Sequence, residues 1–516
     1  MTQNSIADNR MVWLDVVRCV AMLMVIGVHC IDPFYISPTM RVIPEYTHWA
    51  AIYGSLLRPS VPLFVMMTGL LLLPVRQQPL GTFYKKRIFR VLFPFLIWSV
   101  LYSMFPWFTG LLGLPKEIIG DFFCYTQGHE SQSLIDSLKD VAMIPFNFSH
   151  KENHMWYIYL LIGLYLYMPF FSAWVERASN KTKQIFLFIW IVSLFIPYIR
   201  EYVANMLFDR SGYVFGTDTW NEFSMFYYFA GFNGYLLLGH YLKEGGNGNA
   251  LKIFWPFSGS SKDDRLTNDW SVWKTFLICA VMFAIGYYVT YTGFSTTAAN
   301  PNATETEMEL YFTFCSPNVL LMTLAMFLML QKVVINTPVI VKALANMTQC
   351  GFGIYMVHYF VVGPFFLLIG PSEIPIPLQV PLMANLSFRL AENVRLNLAA
   401  GPYVAYSVGD KNIGKYNEYT PGYSGGYGSY GFNYYGGNGG YLYGDGWIGQ
   451  GFSYESRTHD NPFDWGLSFQ AGLEIGSCVM SVGYDASLGK EYDYDSVDLK
   501  YHTFSLSVGY KFKLGK

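Results

Sequence analysis

The chain has 516 residues, of which 52% are hydrophobic and only 14% charged, with a net charge of −2. A soluble protein carries about 25% charged residues, so the composition points to a membrane protein. No basic stripe or RNA-binding signature is present, which sets aside a nucleic-acid partner. The seven cysteines (19, 30, 124, 279, 315, 350 and 478) are scattered and form no C-x-x-C pair, which argues against a disulfide framework or a zinc site; no metal is expected.

The polar opening MTQNSIADNR leads into an apolar run of about 20 residues. That is longer than a signal-peptide core and lacks a small-residue cleavage site, so it reads as a retained anchor. Segments apolar and long enough to span as helices lie near 11–30, 49–74, 88–110, 155–175, 184–199, 223–242, 272–292, 314–334 and 350–370, nine in all. Their loops alternate in charge. Residues 76–90 hold five basic and no acidic residues, whereas 293–313 hold Glu305, Glu307 and Glu309 with no Lys or Arg. The positive-inside rule then makes 76–90, 176–183, 243–274 and 332–342 cytoplasmic, and 111–154, 200–222 and 293–313 external. The expected placement is a multi-pass protein of a bacterial inner membrane, with a cytoplasmic N-terminus and a C-terminal segment that is periplasmic from residue 371.

Beyond that point a period of two residues takes over. It runs through LQVPLMANLSFRL (378–390) and recurs in 394–408, 465–475, 480–488 and 504–512, five expected strands, with a Gly/Tyr/Asn-rich loop at 419–447. The alternation suits a soluble β-sandwich as well as a transmembrane β-barrel. The stretch from Pro377 through AAGPYVAY (399–406) to the closing aromatic strand resembles the C-terminal part of Bacteroides-type outer-membrane porin-like barrels. Five strands do not close a bacterial barrel, which takes an even number of at least about eight. The expected organisation is a helical domain, 1–370, and an incomplete antiparallel barrel-like domain, 371–516, joined by gene fusion or by faulty assembly of the sequence.

Ionisable residues inside membrane helices mark functional sites. In WLDVVRCVAMLMVIGVHC (13–30), Arg18 and His29 are eleven residues apart. Eleven steps of about 100° return within about 20° of the same face, with a rise of about 16 Å. Asp15 shares that face and can neutralise Arg18. A snorkelling Asp15–Arg18 pair with an interfacial His29 fits the same spacing. Lys85, Lys86, Arg87 and Arg90 open the third span, where topology alone also places basic residues. Arg58 stands just before the PSVPLFVMMTGLLLL stretch, on the external side, and would face the interior.

With these stand RPSVPLFVMMTGLLL (58–72), FYKKRIFRVLFPFLIW (83–98), HMWYIYLLIGLYLYMPFF (154–171) and GFGIYMVHYF (351–360). In order and spacing, residues 11–370 resemble acyltransferase family 3, in its surface-polysaccharide O-acyltransferase branch. The resemblance implies transfer of an acyl group, usually acetyl, from acyl-CoA to a hydroxyl of a glycan or lipid-linked saccharide. Arg18 and His29 match its first-helix signature, Arg87 and Arg90 its Arg-x-x-Arg motif, and His358 a histidine of its last block. It also implies ten core helices, one more than the nine spans above.

Neutral imidazole suits deprotonation of an attacking hydroxyl near neutral pH, so His29 is the expected base. No G-x-S-x-G elbow supports a covalent route through serine. Arg87, Arg90 and Lys86 are expected to hold the phosphates of the donor, Arg being the better bidentate partner. Arg18 would hold a phosphate, orient the thioester or stabilise the oxyanion. Trp156 and Tyr157 are candidates for stacking on a sugar or for an interfacial aromatic belt, with Arg58 a further acceptor contact. The loop 111–154 is the expected place of acceptor selectivity, its His129 and His150 ordinary surface residues. His358 is either a second catalytic group or a packing contact. A transporter or flippase of glycan precursors is the competing reading, though no internal repeat supports it.

Overall fold

The computed structural model describes residues 11–113, 132–146, 150–203, 206, 223–244, 269–300, 303–369, 374–392, 394–406, 463–488, 493–494, 497–498 and 502–510. The expectations for His129 and for the 419–447 loop lie outside them. The chain divides into a helical unit, residues 1–392, and a second unit, residues 393–516.

In the helical unit, α1 (Val12–Ile36) is central. It packs against α2 (Pro44–Leu57), α3 (Ser60–Leu72), α11 (Pro338–Ile369) and α12 (Ile376–Glu392). Around these run α4 (Leu80–Leu111), α5 (Leu134–Met143), α6 (Trp156–Arg177), α7 (Asn180–Ser193), α8 (Asn233–Glu244), α9 (Asp269–Ala298) and α10 (Pro317–Leu330). On α9 the exposed residues Trp273, Leu277, Val281, Ile285 and Tyr288 recur every three or four positions, with Phe276 beside them. An apolar stripe on the outside and polar side chains within are the arrangement that a hydrocarbon solvent selects. Among the described residues eight helices are long and apolar enough to cross a membrane, so this is a multi-pass membrane protein.

The expected span at 223–242 takes a different form. It is a 3-10 turn, Ser224–Phe226, followed by the short α8. Between them Gly231 has φ +79°, a left-handed conformation that interrupts a helix, and its carbonyl accepts a hydrogen bond from Trp190 Nε1 (2.8 Å). Helix α8 then lies along α3 with two glycines in contact: a methyl on Gly69 would overlap the Leu236 carbonyl, and one on Gly239 the Met66 carbonyl. The end of α3 is capped by α8 side chains, Lys243 Nζ donating to the Leu70 carbonyl (3.0 Å) and His240 Nδ1 bonded to that of Leu73 (3.1 Å).

A second correction concerns 378–390, read from its alternation as a strand. It is the helix α12, packed on α11 and α1. Val380, Met383, Phe388 and Ala391 are buried, close to helical spacing, and the Tyr53 hydroxyl of α2 donates to the Pro377 carbonyl (2.6 Å). The helical unit therefore extends to Glu392, and α8 and α12 join the eight long helices within it.

The second unit contains a four-stranded antiparallel sheet in the order β1-β2-β3-β6: β1 (Val394–Tyr406), β2 (Phe463–Ile475), β3 (Cys478–Ser487) and β6 (His502–Tyr510), with β4 (Asp493–Tyr494) paired to β5 (Val497–Asp498). Four of the five expected strands are thus these. The registers Leu473↔Met480 and Met480↔Val508 set one face, on which Trp465, Leu467, Phe469, Met480, Val482 and Val508 are exposed. Glu474 and Ser487, on the other face, are buried. Apolar side chains outward and small or polar ones inward are the pattern of a partial β-barrel.

Candidate functional site

His29 and Asp32 lie three residues apart on α1 and therefore on one face. Their side chains meet, His29 Nδ1 standing 2.9 Å from Asp32 Oδ2. A carboxylate accepts, so this bond fixes the imidazole proton on Nδ1 and leaves the Nε2 lone pair turned away from Asp32. One turn further, the buried Tyr35 hydroxyl donates toward Asp32 Oδ1 (3.3 Å).

Two more imidazoles come from distant segments. His154 sits in the short turn before α6, and His358 on α11. Ring centroids are 5.1 Å apart for His29 and His358, 6.2 Å for His29 and His154, and 4.9 Å for His154 and His358. Tyr359 stacks on His154 at 4.2 Å and meets the edge of His29 at 5.3 Å. The Tyr355 hydroxyl bonds the His154 carbonyl, and Tyr102 of α4 donates to the Met356 carbonyl (2.9 Å). The rings pack against one another, and among the described residues no set of His, Cys, Asp or Glu converges on a point that would take a metal ion.

Exposure separates the three. The His29 side chain is 14% exposed, while His154 is 1% and His358 0% exposed. His358 Nδ1 is bonded to the Tyr355 carbonyl (2.6 Å), and its Nε2 has no hydrogen-bond partner among the described residues. Neither ring nitrogen of His154 makes a hydrogen bond of good geometry among the described residues, although the Met356 backbone is close. Of the three imidazoles His29 is the most exposed, and the other two pack behind it.

The basic residues collect at the other end of α1. Arg18, 35% exposed, stands 3.8 Å from the buried Asp15. Arg87 and Arg90 of α4, together with Arg18, act electrostatically on the hydroxyl of Tyr165 in α6. Two helices, α1 and α4, thus bring three guanidinium groups within electrostatic range of one phenol on a third. Lys86, on the same turn as Arg87, is exposed.

Arg58 ends α2 and is buried. Its Nη2 donates to the Tyr35 hydroxyl (3.4 Å) and its guanidinium lies 4.0 Å over the Phe312 ring. Trp156 is half-buried and stacks on Phe314 (5.6 Å), whose ring is also 5.8 Å from Arg58. Tyr157 is buried against Tyr355 (5.8 Å) and Phe64 (6.2 Å). Trp156 and Arg58 therefore belong to one aromatic and cationic cluster beyond Asp32, while Tyr157 packs behind it.

The structure adds Asp32, Tyr35, His154 and Glu309 to the residues singled out above. Asp32 was within reach of the sequence, as an acid one helical turn after His29. The rest were not, because the partners that single them out, Glu309 and Arg58 for Tyr35 and the other imidazoles for His154, come from elsewhere in the chain.

A bundle of long apolar helices enclosing a partly exposed His–Asp pair, with arginines gathered at one end, defines a multi-pass membrane protein with an internal polar site. The family model of the acyltransferase domain matches residues 11–388, well over half of the chain, and the chain belongs to acyltransferase family 3. It is a membrane acyltransferase. The model of an outer membrane protein beta-barrel domain matches residues 377–495. The two matches overlap over α12, which the structure makes helical. No curated protein and no solved structure matches the chain.

Proposed function

We propose that this acyltransferase moves an acyl group, acetyl in the simplest case, from cytosolic acyl-CoA to a hydroxyl of a cell-surface or lipid-linked glycan at the bacterial inner membrane, its N-terminus cytoplasmic. The observation that carries this reading is the hydrogen bond from His29 Nδ1 to Asp32 Oδ2 on a partly open imidazole. A group held in this tautomer presents Nε2 as a base.

The acceptor hydroxyl gives its proton to His29 Nε2 as its oxygen bonds to the thioester carbon. The carbon–sulfur bond then breaks, and the imidazolium returns the proton to the departing thiolate, so that CoA leaves as the thiol. Asp32 stabilises the imidazolium between the two transfers. Arg87 and Arg90 would bind the CoA phosphates at the cytoplasmic end, with Lys86 attracting them at longer range and Arg18 beside them on the way to His29. The glycan would approach from the periplasmic end, where Trp156 offers a ring and Arg58 a buried charge.

Mass spectrometry of surface glycans from cells with and without the chain tests the reaction. A gained acyl mass is expected, and unchanged acylation of every glycan rejects it. For the donor site, Arg87→Gln and Arg90→Gln should each raise the KM for acetyl-CoA by about tenfold or more, the range of one lost charge-assisted hydrogen bond, with kcat nearly kept. With 3′-dephospho-CoA thioesters at least one of these penalties should shrink; equal penalties for both donors would place the arginines away from that phosphate.

The sheet of residues 394–510 is read as a barrel fragment joined to the enzyme by fusion or by faulty assembly of the sequence. Amplification across residues 360–400 from source DNA tests this: a continuous native reading frame removes the assembly version.

A further inference from the structure

The Tyr35 hydroxyl stands between two carboxylates. It lies 3.3 Å from Asp32 Oδ1 and 3.2 Å from Glu309 Oε1, and it accepts from Arg58 Nη2 at 3.4 Å. A phenol carries one O–H proton, so it can satisfy one of these acids at a time. We propose that Tyr35 and Glu309 are positioning residues that set how much negative charge Asp32 presents to His29, and thereby the basicity of that imidazole. The proposal deepens the reading of His29 as the base and rests on it.

The chemistry follows from where the proton points. Turned toward Asp32, the O–H takes up part of the carboxylate's charge, and the imidazolium of His29 loses stabilisation. Turned toward Glu309, it leaves Asp32 fully charged, and His29 becomes the stronger base. Arg58 sharpens the competition, because a guanidinium beside the phenol oxygen makes its O–H a better donor. Arg58 is itself fixed over Phe312, which follows Glu309 by three residues across a continuous helical turn, Glu305–Glu309 and Leu310–Phe312. One short segment therefore supplies both the competing carboxylate and the ring that holds the cation.

Among the described residues, the groups facing His29 from each neighbouring element are few. On α1 there is Asp32, and through it Tyr35; from the turn before α6 comes His154; from α11 come His358 and Tyr359. Arg58 and Glu309 reach it through Tyr35. The imidazoles and the phenol of Tyr359 bring no negative charge, so Asp32 dominates the stability of the imidazolium and whatever modulates Asp32 controls it.

The test measures the protonation of His29 directly. Full-length wild type, Tyr35→Phe, Glu309→Gln and the double variant, in membranes, are treated with diethyl pyrocarbonate, which reacts with neutral imidazole. The rate of carbethoxylation at His29 is read by peptide mass spectrometry across pH. Tyr35→Phe frees Asp32 of its donor, so the midpoint should rise by about half a pH unit or more. Glu309→Gln turns the proton to Asp32 and removes a nearby negative charge, so the midpoint should fall by a similar amount. In the double variant the Glu309 substitution should shift the midpoint less than it does alone, since its route through the hydroxyl is gone and only the loss of its charge remains. An unchanged midpoint in Tyr35→Phe, or shifts of the same sign in both single variants, overturns the proposal and leaves Tyr35 and Glu309 as ties between α1 and the 305–312 segment. Acetyl transfer from acetyl-CoA to host glycans is assayed in parallel, where the acid limb of the pH profile should move with the midpoints. Opposed midpoint shifts without transfer by the wild type uphold the coupling and overturn the proposed function.

Discussion

His29→Ala should lower acyl transfer by about a hundredfold to ten-thousandfold, the range of a lost general base, while the chain still inserts and accumulates in the membrane. The cause lies in two features of the site: His29 is the most exposed of three clustered imidazoles, and Asp32 holds its tautomer. His29→Gln refines the result, because its amide can still donate to Asp32 but offers no basic nitrogen. Both variants should be equally inactive. Asp32→Asn keeps the shape and loses the charge, so activity should fall with the acid limb of the pH profile moved down. The measurement is release of free CoA thiol from acetyl-CoA in the presence of host glycans, with chain abundance from quantitative blotting. Transfer at wild-type rates by His29→Ala would reject His29 as the base.

Gly69→Val should markedly destabilise the helical unit. Any side-chain carbon there meets the Leu236 carbonyl, which is backbone and cannot swing aside. Helix α8 would have to back away from α3, releasing the reciprocal contact of Gly239 with Met66 and the caps from Lys243 and His240 on the last carbonyls of α3. Overpacking a tight interface costs about 3 kcal/mol, and small residues carry helix association in a membrane. Gly163→Ala on α6 is the control, since nothing lies within 4 Å of the added methyl. It should be neutral or slightly stabilising, alanine being the better helix former. Thermal unfolding in detergent, followed by fluorescence-detected size-exclusion chromatography, checks both. Equal midpoints for the two variants would show that the α3–α8 contact yields easily.

Much of the helical unit was legible because hydrocarbon demands long apolar runs, and those runs interrupt the sequence visibly. Arg18 and His29 also stood out, since a charge and an imidazole within one such run need an interior surface. The face shared by His29 and Asp32 follows from helical geometry alone. Two misreadings have a common source in local pattern. Residues 378–390 alternate like a strand, but Val380, Met383, Phe388 and Ala391 also fall on one side of a helix, and burial against α1 and α11 decides between the two. Residues 223–242 are mostly apolar, yet the left-handed Gly231 shortens the helix they form.

By itself, the amino-acid order determined the class of protein: a chain too apolar for water, its first span bearing Arg18 and His29 on one side, its tail alternating like a barrel wall. Each of these is a periodic property, read along a single element. The tertiary structure alone decided that His154 and His358 close around His29, that Tyr35 lies between Asp32 and Glu309, and that Arg18, Arg87 and Arg90 come within electrostatic range of the same phenol, Tyr165. Those partners come from segments far apart in the chain, and helix packing brings them together through contacts for which no local periodicity codes.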